Sequence, residues 1–292
     1  MMNPVLDEAK WLRLSHAATE QRVADGFRLL GVSSNAILIK GWSISRFYDP
    51  GHYRTSTDID LLFPATDSLA LSERIKDLRP SVSIDAHFGP RHLDKLTFQD
   101  LLDRSYTVEL NGVRIRVLAD EDNLRITSVH WLTDGGVNKE KLWDIFYLVK
   151  NRGADFDWPR CLEANGSIRK SWVLAAITTA RDHLDLDVSG LPEEAQDFKL
   201  PKWYEQTLEK EWRLGLYPRH RLSTVLTRPA LLLEQLKRKF PPNRIAATID
   251  SETAIDDSSR VPAQLKSLVK KASPFARGLI GRITYSFRGK PQ

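Results

Sequence analysis

A chain of 292 residues, 41% hydrophobic and 28% charged with a net charge of +5, has the size of one large domain or two ordinary ones and the composition of a soluble globular protein. Its single cysteine, Cys161, excludes an internal disulfide and a cysteine-based zinc site, and no apolar run approaches the roughly 20 residues a membrane helix needs. The opening MMNPVLDEAKWLRL carries acids and no signal-peptide core, so the cytoplasm is the expected compartment.

Residues 5–31 suit a helix, with Leu12, Val23, Phe27 and Leu30 at apolar positions and Gly31 as a stop. Ala36–Ile39 is a short apolar run ending in Lys40-Gly41 and reads as a buried strand entering a tight turn. Trp42–Tyr48 follows as a helix, closed by Asp49-Pro50-Gly51. Asp58–Phe63 is the second expected strand, Asp67–Leu78 a helix and Val82–Phe88 the third strand. Thr107–Leu110 and Val113–Leu118 flank Asn111-Gly112, a strong hairpin signal, because both central turn residues want positive φ.

After Asp120 strand signals fade, and Asn123–Thr133, Lys139–Lys150, Pro159–Ala164 and Ile168–Leu184 read as helices. The expected division is an α/β domain over 1–120 with its N-terminal helix, a helical domain over 121–215, and a basic C-terminal extension over 216–292. From Tyr217 onward 15 Lys+Arg stand against 5 Asp+Glu, whereas the first 216 residues hold 28 basic and 33 acidic ones. A basic end suits an anionic partner, nucleic acid or membrane, or is a solvated tail. Ile249–Arg260 is polar and acidic and reads as a linker; Pro262–Ile283 reads as one or two amphipathic helices.

The chain contains three Asp-x-Asp pairs. Asp155/Asp157 and Asp185/Asp187 lie in polar surroundings and read as turn or cap residues. Asp58/Asp60 is embedded in Ile59, Leu61, Leu62 and Phe63. Residues i and i+2 of a strand share a face, so these carboxylates lie side by side while Ile59 and Leu61 enter the core. Such a pair repels itself until a proton or a divalent cation intervenes. Asp85 on the next strand offers a third carboxylate for a two-metal arrangement, with His87 on the same face. Mg2+ (or Mn2+) suits these oxygen ligands and the phosphates of a nucleotide. Lys40, Gly41 and Ser43, at a strand–glycine–helix turn, are candidates to hold the β- and γ-phosphates. An acceptor hydroxyl, activated by metal and by one aspartate as base, would then attack the α-phosphate, and pyrophosphate would leave.

At these residues the sequence resembles the DNA polymerase β-like nucleotidyltransferase superfamily. More narrowly it resembles an uncharacterised bacterial nucleotidyltransferase-like family reading Lys-Gly-x-x, then Arg-x-x-x-Asp-Ile-Asp-Leu-Leu. Here that is Lys40-Gly41-Trp42-Ser43, Arg54 and Asp58-Ile59-Asp60-Leu61-Leu62. Asp85-Ala86-His87, Glu121-Asp122, His130 and Trp143-Asp144-Ile145 match its later pattern, and the resemblance covers roughly residues 5–190.

It implies an α+β fold: a minimal polymerase β-like domain, with a mixed sheet and helices, followed by a helical domain. It also implies Asp58, Asp60 and Asp85 as catalytic metal ligands, and Lys40, Gly41, Trp42, Ser43 and Arg54 as nucleotide-binding. His87, behind the metal ligands, and His130 and Asp144, on helices, are either supporting residues of the site or structural ones. The implied activity is transfer of a nucleoside monophosphate from an NTP such as ATP to a protein, peptide or small-molecule hydroxyl. The alternatives are an RNA-modifying nucleotidyltransferase toxin of a toxin–antitoxin system and an inactive nucleotide- or partner-binding protein.

Overall fold

The computed structural model describes residues 4–31, 36–78, 83–216, 231, 233, 235 and 239–270. Two compact units emerge, one from the described residues of Met1–His130 and Glu140–Phe198, the other from those of Trp131–Lys139 and Lys199–Gln292. This division does not follow the expected boundaries at 120 and 215: the helices up to residue 197 group with the sheet, apart from the end of the helix that begins at Asp120, which lies in the strip Trp131–Lys139.

In the first unit five strands form one mixed sheet: β1 (Ile37–Leu38), β2 (Ile59–Phe63), β3 (Ile84–Phe88), β4 (Tyr106–Leu110) and β5 (Val113–Val117), ordered β3-β2-β1-β5-β4. β1 runs antiparallel to β2 and parallel to β5, while β2 and β3 run parallel. The Asn111-Gly112 hairpin forms as expected, with φ of 49° and 71° at its two central residues.

The strands alternate as their sequences require. Ile59, Leu61 and Phe63 join one apolar cluster with Val23, Phe27 and Leu30 of α1 (Pro4–Leu30) and Ile75 of α3 (Ser68–Leu78). Leu62 faces the opposite cluster, with Leu101 of α4 (Phe98–Arg104) and Ile126 of α5 (Asp120–Thr133). Between β1 and β2 lie the short α2 (Gly41–Ser45) and a loop held by α1. Thr19 and Arg22 donate to the Ser56 carbonyl at 3.2 and 2.7 Å. α4, a helix not among the expected elements, starts with a capping box between Thr97 and Asp100. α6 (Leu142–Lys150), α7 (Trp158–Glu163), α8 (Gly166–Leu184) and α9 (Glu193–Asp197) complete the unit.

The second unit contains α10 (Lys202–Leu214) packed on α11 (Arg244–Asp250), and residues 261–270 are helical. The expected linker at 249–260 is corrected here. Ile249 and Ile255 are buried, and the Arg260 guanidinium, itself buried, donates to the carbonyls of Ala254 and Ser258, both at 2.8 Å. Its acids cap turns: Asp256 accepts from the Ser258 amide at 2.9 Å. Val82 of the third strand, and residues 271–283 of the expected amphipathic helices, lie outside the described residues. Among the described residues no helix is long and apolar enough to cross a membrane.

Candidate functional site

Asp60 stands at the middle of the site. Its register partner on β3 is Asp85, and His87 lies two residues further along β3, on the same face. Asp60, Asp85 and His87 each offer a ligand atom, all within 4.8 Å of one another. His87 Nε2 is 3.2 Å from Asp60 Oδ1 and 3.3 Å from Asp85 Oδ2. Asp58 precedes β2, is exposed, and lines the same cleft as Asp60 and Asp85 rather than joining the three-residue group.

The chain also brings its own cation to this spot. Lys40 Nζ donates to Asp60 Oδ1 at 2.6 Å and lies 3.3 Å from His87 Nε2. Sequence reasoning missed this pairing, because it assigned Lys40 to the phosphates of a nucleotide. Lys40 and Asp60 are distant in sequence, but β1 and β2 are hydrogen-bonded neighbours, which carries Lys40 beside Asp60. Burial pushes the Asp60 carboxyl up, but the hydrogen bond from His87 and the charge and hydrogen bond of Lys40 prevail and bring it down to about 2.

The turn takes a glycine for its backbone conformation rather than for space. Gly41 has φ 45°, and a Cβ there would meet the Ser56 hydroxyl oxygen at 3.4 Å. Two of the expected nucleotide-binding residues point elsewhere. Ser43 is fully buried, its hydroxyl accepts from Asn123 Nδ2 at 3.1 Å, and its amide donates to the Lys40 carbonyl at 2.9 Å. The Trp42 ring belongs to the apolar core, and its indole nitrogen donates to Glu20 at 3.2 Å.

Arg54 is also engaged. It grips Asp144 of α6 with two hydrogen bonds, Nε to Oδ1 at 2.6 Å and Nη2 to Oδ2 at 3.0 Å, and Tyr48 donates to the same carboxylate at 2.8 Å. Burial, together with the adjacent Asp144 charge, pushes the Tyr48 hydroxyl far up. Asp144 thus pairs with the loop before β2. Glu121 and Asp122 sit in a buried ionic cluster, away from the cleft lining. There Asp122 accepts from Arg125 at 2.7 Å, and Glu121 from Arg104 at 2.5 Å.

The cleft measures about 540 Å3. Asp58, Asp60 and Asp85 contribute carboxylates to its lining. Thr127 and His130 of α5, Lys141 just before α6, and the Arg54–Asp144 pair line it as well. Lys141 and Thr127 are site residues that sequence reasoning did not single out. Their signal was faint, since an isolated lysine and a helical threonine are ordinary surface or packing residues. A cleft of this size, with carboxylates and basic groups in one lining, has the room and the polar groups of a small-molecule site. Comparison of the chain with protein-family models, with curated proteins and with solved structures returns no match.

Proposed function

We propose that this chain is a metal-dependent nucleotidyltransferase of DNA polymerase β-like fold, moving a nucleoside monophosphate from an NTP to a hydroxyl of a protein, peptide or small-molecule acceptor. The observation that carries the reading is the register of β2 on β3, which makes Asp60 and Asp85 cross-strand neighbours in a cleft that Asp58 also lines. Clustered carboxylates at a cleft are what metal-assisted phosphoryl transfer requires.

Asp60, Asp85 and His87 would hold the cation, and the donor set fits: two carboxylates and one imidazole within 4.8 Å. When bound, the cation neutralises the carboxylates and polarises the phosphate under attack. An imidazole among carboxylates favours Mn2+ over Mg2+, which prefers oxygen alone. Asp60 stays ionised under Lys40 and His87. Asp58, exposed in the cleft, is the residue to accept the proton of an incoming hydroxyl.

A second reading also has an observation in its favour. Lys40 Nζ, 2.6 Å from Asp60, supplies a cation where catalysis wants a metal. A protein that binds nucleotide or a partner without turnover would need no other. The test is incubation with labelled NTPs, Mn2+ or Mg2+ and cell extract, in parallel with the Asp85→Asn variant. Label on an acceptor, lost in the variant, supports the transferase; label on RNA identifies the acceptor as RNA. Nucleotide binding without transfer to anything favours the second reading.

A further inference from the structure

Lys40 and a metal ion contest the same atoms. Lys40 Nζ donates to Asp60 Oδ1 at 2.6 Å and lies 3.3 Å from His87 Nε2. Those two atoms are 3.2 Å apart, and Asp85 Oδ2 is 3.3 Å from the same imidazole nitrogen. An ion bound by both would sit roughly 2 Å from each, closer to the ammonium than two cations tolerate in a buried site. A metal also needs the lone pair of a ring nitrogen, and Nε2 already faces the ammonium.

Further observations mark the arrangement as exchangeable. Lys40 has φ 55° and ψ −156°. Backbone strain of this kind gathers at ligand clamps and switch regions. Lys40 also lines the cleft together with Asp60 and Asp85. Its flexible four-carbon stem lets the ammonium leave Asp60 for the cleft without the main chain following. The Asp85 side chain, 56% exposed, lies open to an ion arriving from that cleft.

We infer that Lys40 is a built-in competitor for the divalent cation, an inference that rests on the nucleotidyltransferase reading for the presence of a cation at all. Lys40 neutralises Asp60 until an ion arrives, and the ion gains Asp60 and His87 only by expelling the ammonium into the cleft. The fold therefore holds without metal, because Asp60 is never left bare. Metal binding by itself is weakened by the ion pair that it must break. An anionic substrate in the cleft offers the freed ammonium a new counter-charge.

The test follows Mn2+ binding to the full chain by electron paramagnetic resonance, alongside thermal melting. Lys40→Met and Lys40→Gly should each bind Mn2+ about tenfold more tightly than the wild type, since the ion no longer has to break a charged hydrogen bond. Lys40→Gly keeps the test open if Lys40→Met melts early, because glycine reaches this backbone conformation freely. A second measurement needs no change at Lys40. In the wild type the buried Lys40 amine should react with an acylating reagent about fivefold faster under saturating Mn2+, read on its own peptide by mass spectrometry. Asp85→Asn should lose most of that acceleration. Mn2+ binding that is absent throughout, or no tighter in the two Lys40 variants, overturns the exchange. So does a Lys40 reactivity that Mn2+ leaves unchanged, or an acceleration undiminished in Asp85→Asn, which would place the ion elsewhere. If both measurements come out as expected while the wild type transfers no nucleotide, the exchange stands and the transferase reading falls. If the wild type transfers nucleotide with Mn2+ but Lys40 stays slow to react, the transferase reading stands and the exchange falls.

Discussion

Lys40 adopts φ 55° and ψ −156°, a backbone region that glycine reaches freely and other residues do not. Holding lysine there costs about 1–3 kcal/mol, and such strain persists only where the surroundings over-determine it. Here the buried ion pair with Asp60 and the contact with His87 do so. Two of the cleft carboxylates therefore respond differently to neutralisation. Asp60→Asn leaves Lys40 buried against a weaker partner and should lower stability by about 2–3 kcal/mol. Asp85, whose side chain is 56% exposed, should lose less than about 0.5 kcal/mol as Asn. Urea denaturation of the two variants distinguishes them, and equal losses would mean that the Lys40–Asp60 pair contributes little. Asp85→Asn is consequently the clean variant for activity assays. Cys161 gives a second test at this scale. It is fully buried, and burial pushes its thiol well up, so its thiolate is scarce at any pH the fold tolerates. A disulfide reagent at pH 8 should react with it only on unfolding; prompt labelling of the native protein would contradict its burial.

Among the elements, α5 is the least ordinary. Glu121, Asp122, Asn123, Arg125, Thr127 and Ser128 are all buried on it. Arg125 holds the helix in place, with Nε 2.9 Å from Asp94, in the segment ahead of α4, and Nη2 2.7 Å from Asp122. Arg125→Met removes the principal cation from two fully buried carboxylates and should cost about 3–5 kcal/mol. Adding Asp94→Asn and Asp122→Asn to the same chain should restore part of that loss. If the triple variant is no more stable than the single one, the cost arises from packing volume rather than charge. This helix also marks where the sequence stops being legible. The strands follow from alternation, the hairpin from Asn111-Gly112, and the shared face of Asp85 and His87 from a period of two. Polar residues on a helix read as solvated, however, because nothing local reveals that Asp94 will arrive to pair with Arg125. For the same reason the partnership of Lys40 with Asp60, and of Arg54 with Asp144, was invisible: each joins residues that only the folded topology brings together. The acidic stretch 249–260 misled in the same way, since its charge is consumed by turn caps and by the buried Arg260.

At the scale of the whole molecule, the two units are not successive in the chain. Residues 131–139 leave the first unit to join the second, and the chain returns at Glu140 before leaving again at Lys199. That inserted strip is knitted into its host. Trp212 Nε1 donates to the Gly136 carbonyl at 2.8 Å, and Asn243 Nδ2 to the Gly135 carbonyl at 3.2 Å. Gly136 has φ 66°, and a Cβ there would sit 2.4 Å from a methyl of Leu208, so only glycine fits. A fragment of residues 199–292 lacks this strip, which removes the Gly136 carbonyl that accepts from the Trp212 indole and the Gly135 carbonyl that accepts from the Asn243 amide. It also exposes the surface of Leu208 that the strip covers. The expected outcome is that 199–292 expressed alone shows no cooperative thermal transition, whereas the full chain does. Gly136→Ala in the full chain should weaken the second unit by about 2–3 kcal/mol, because the Cβ meets a packed side chain at a positive-φ position. Circular dichroism melts of the fragment and the variant test the two halves of this expectation separately. A fragment that melts cooperatively on its own would show that 131–139 merely rests on a self-sufficient domain.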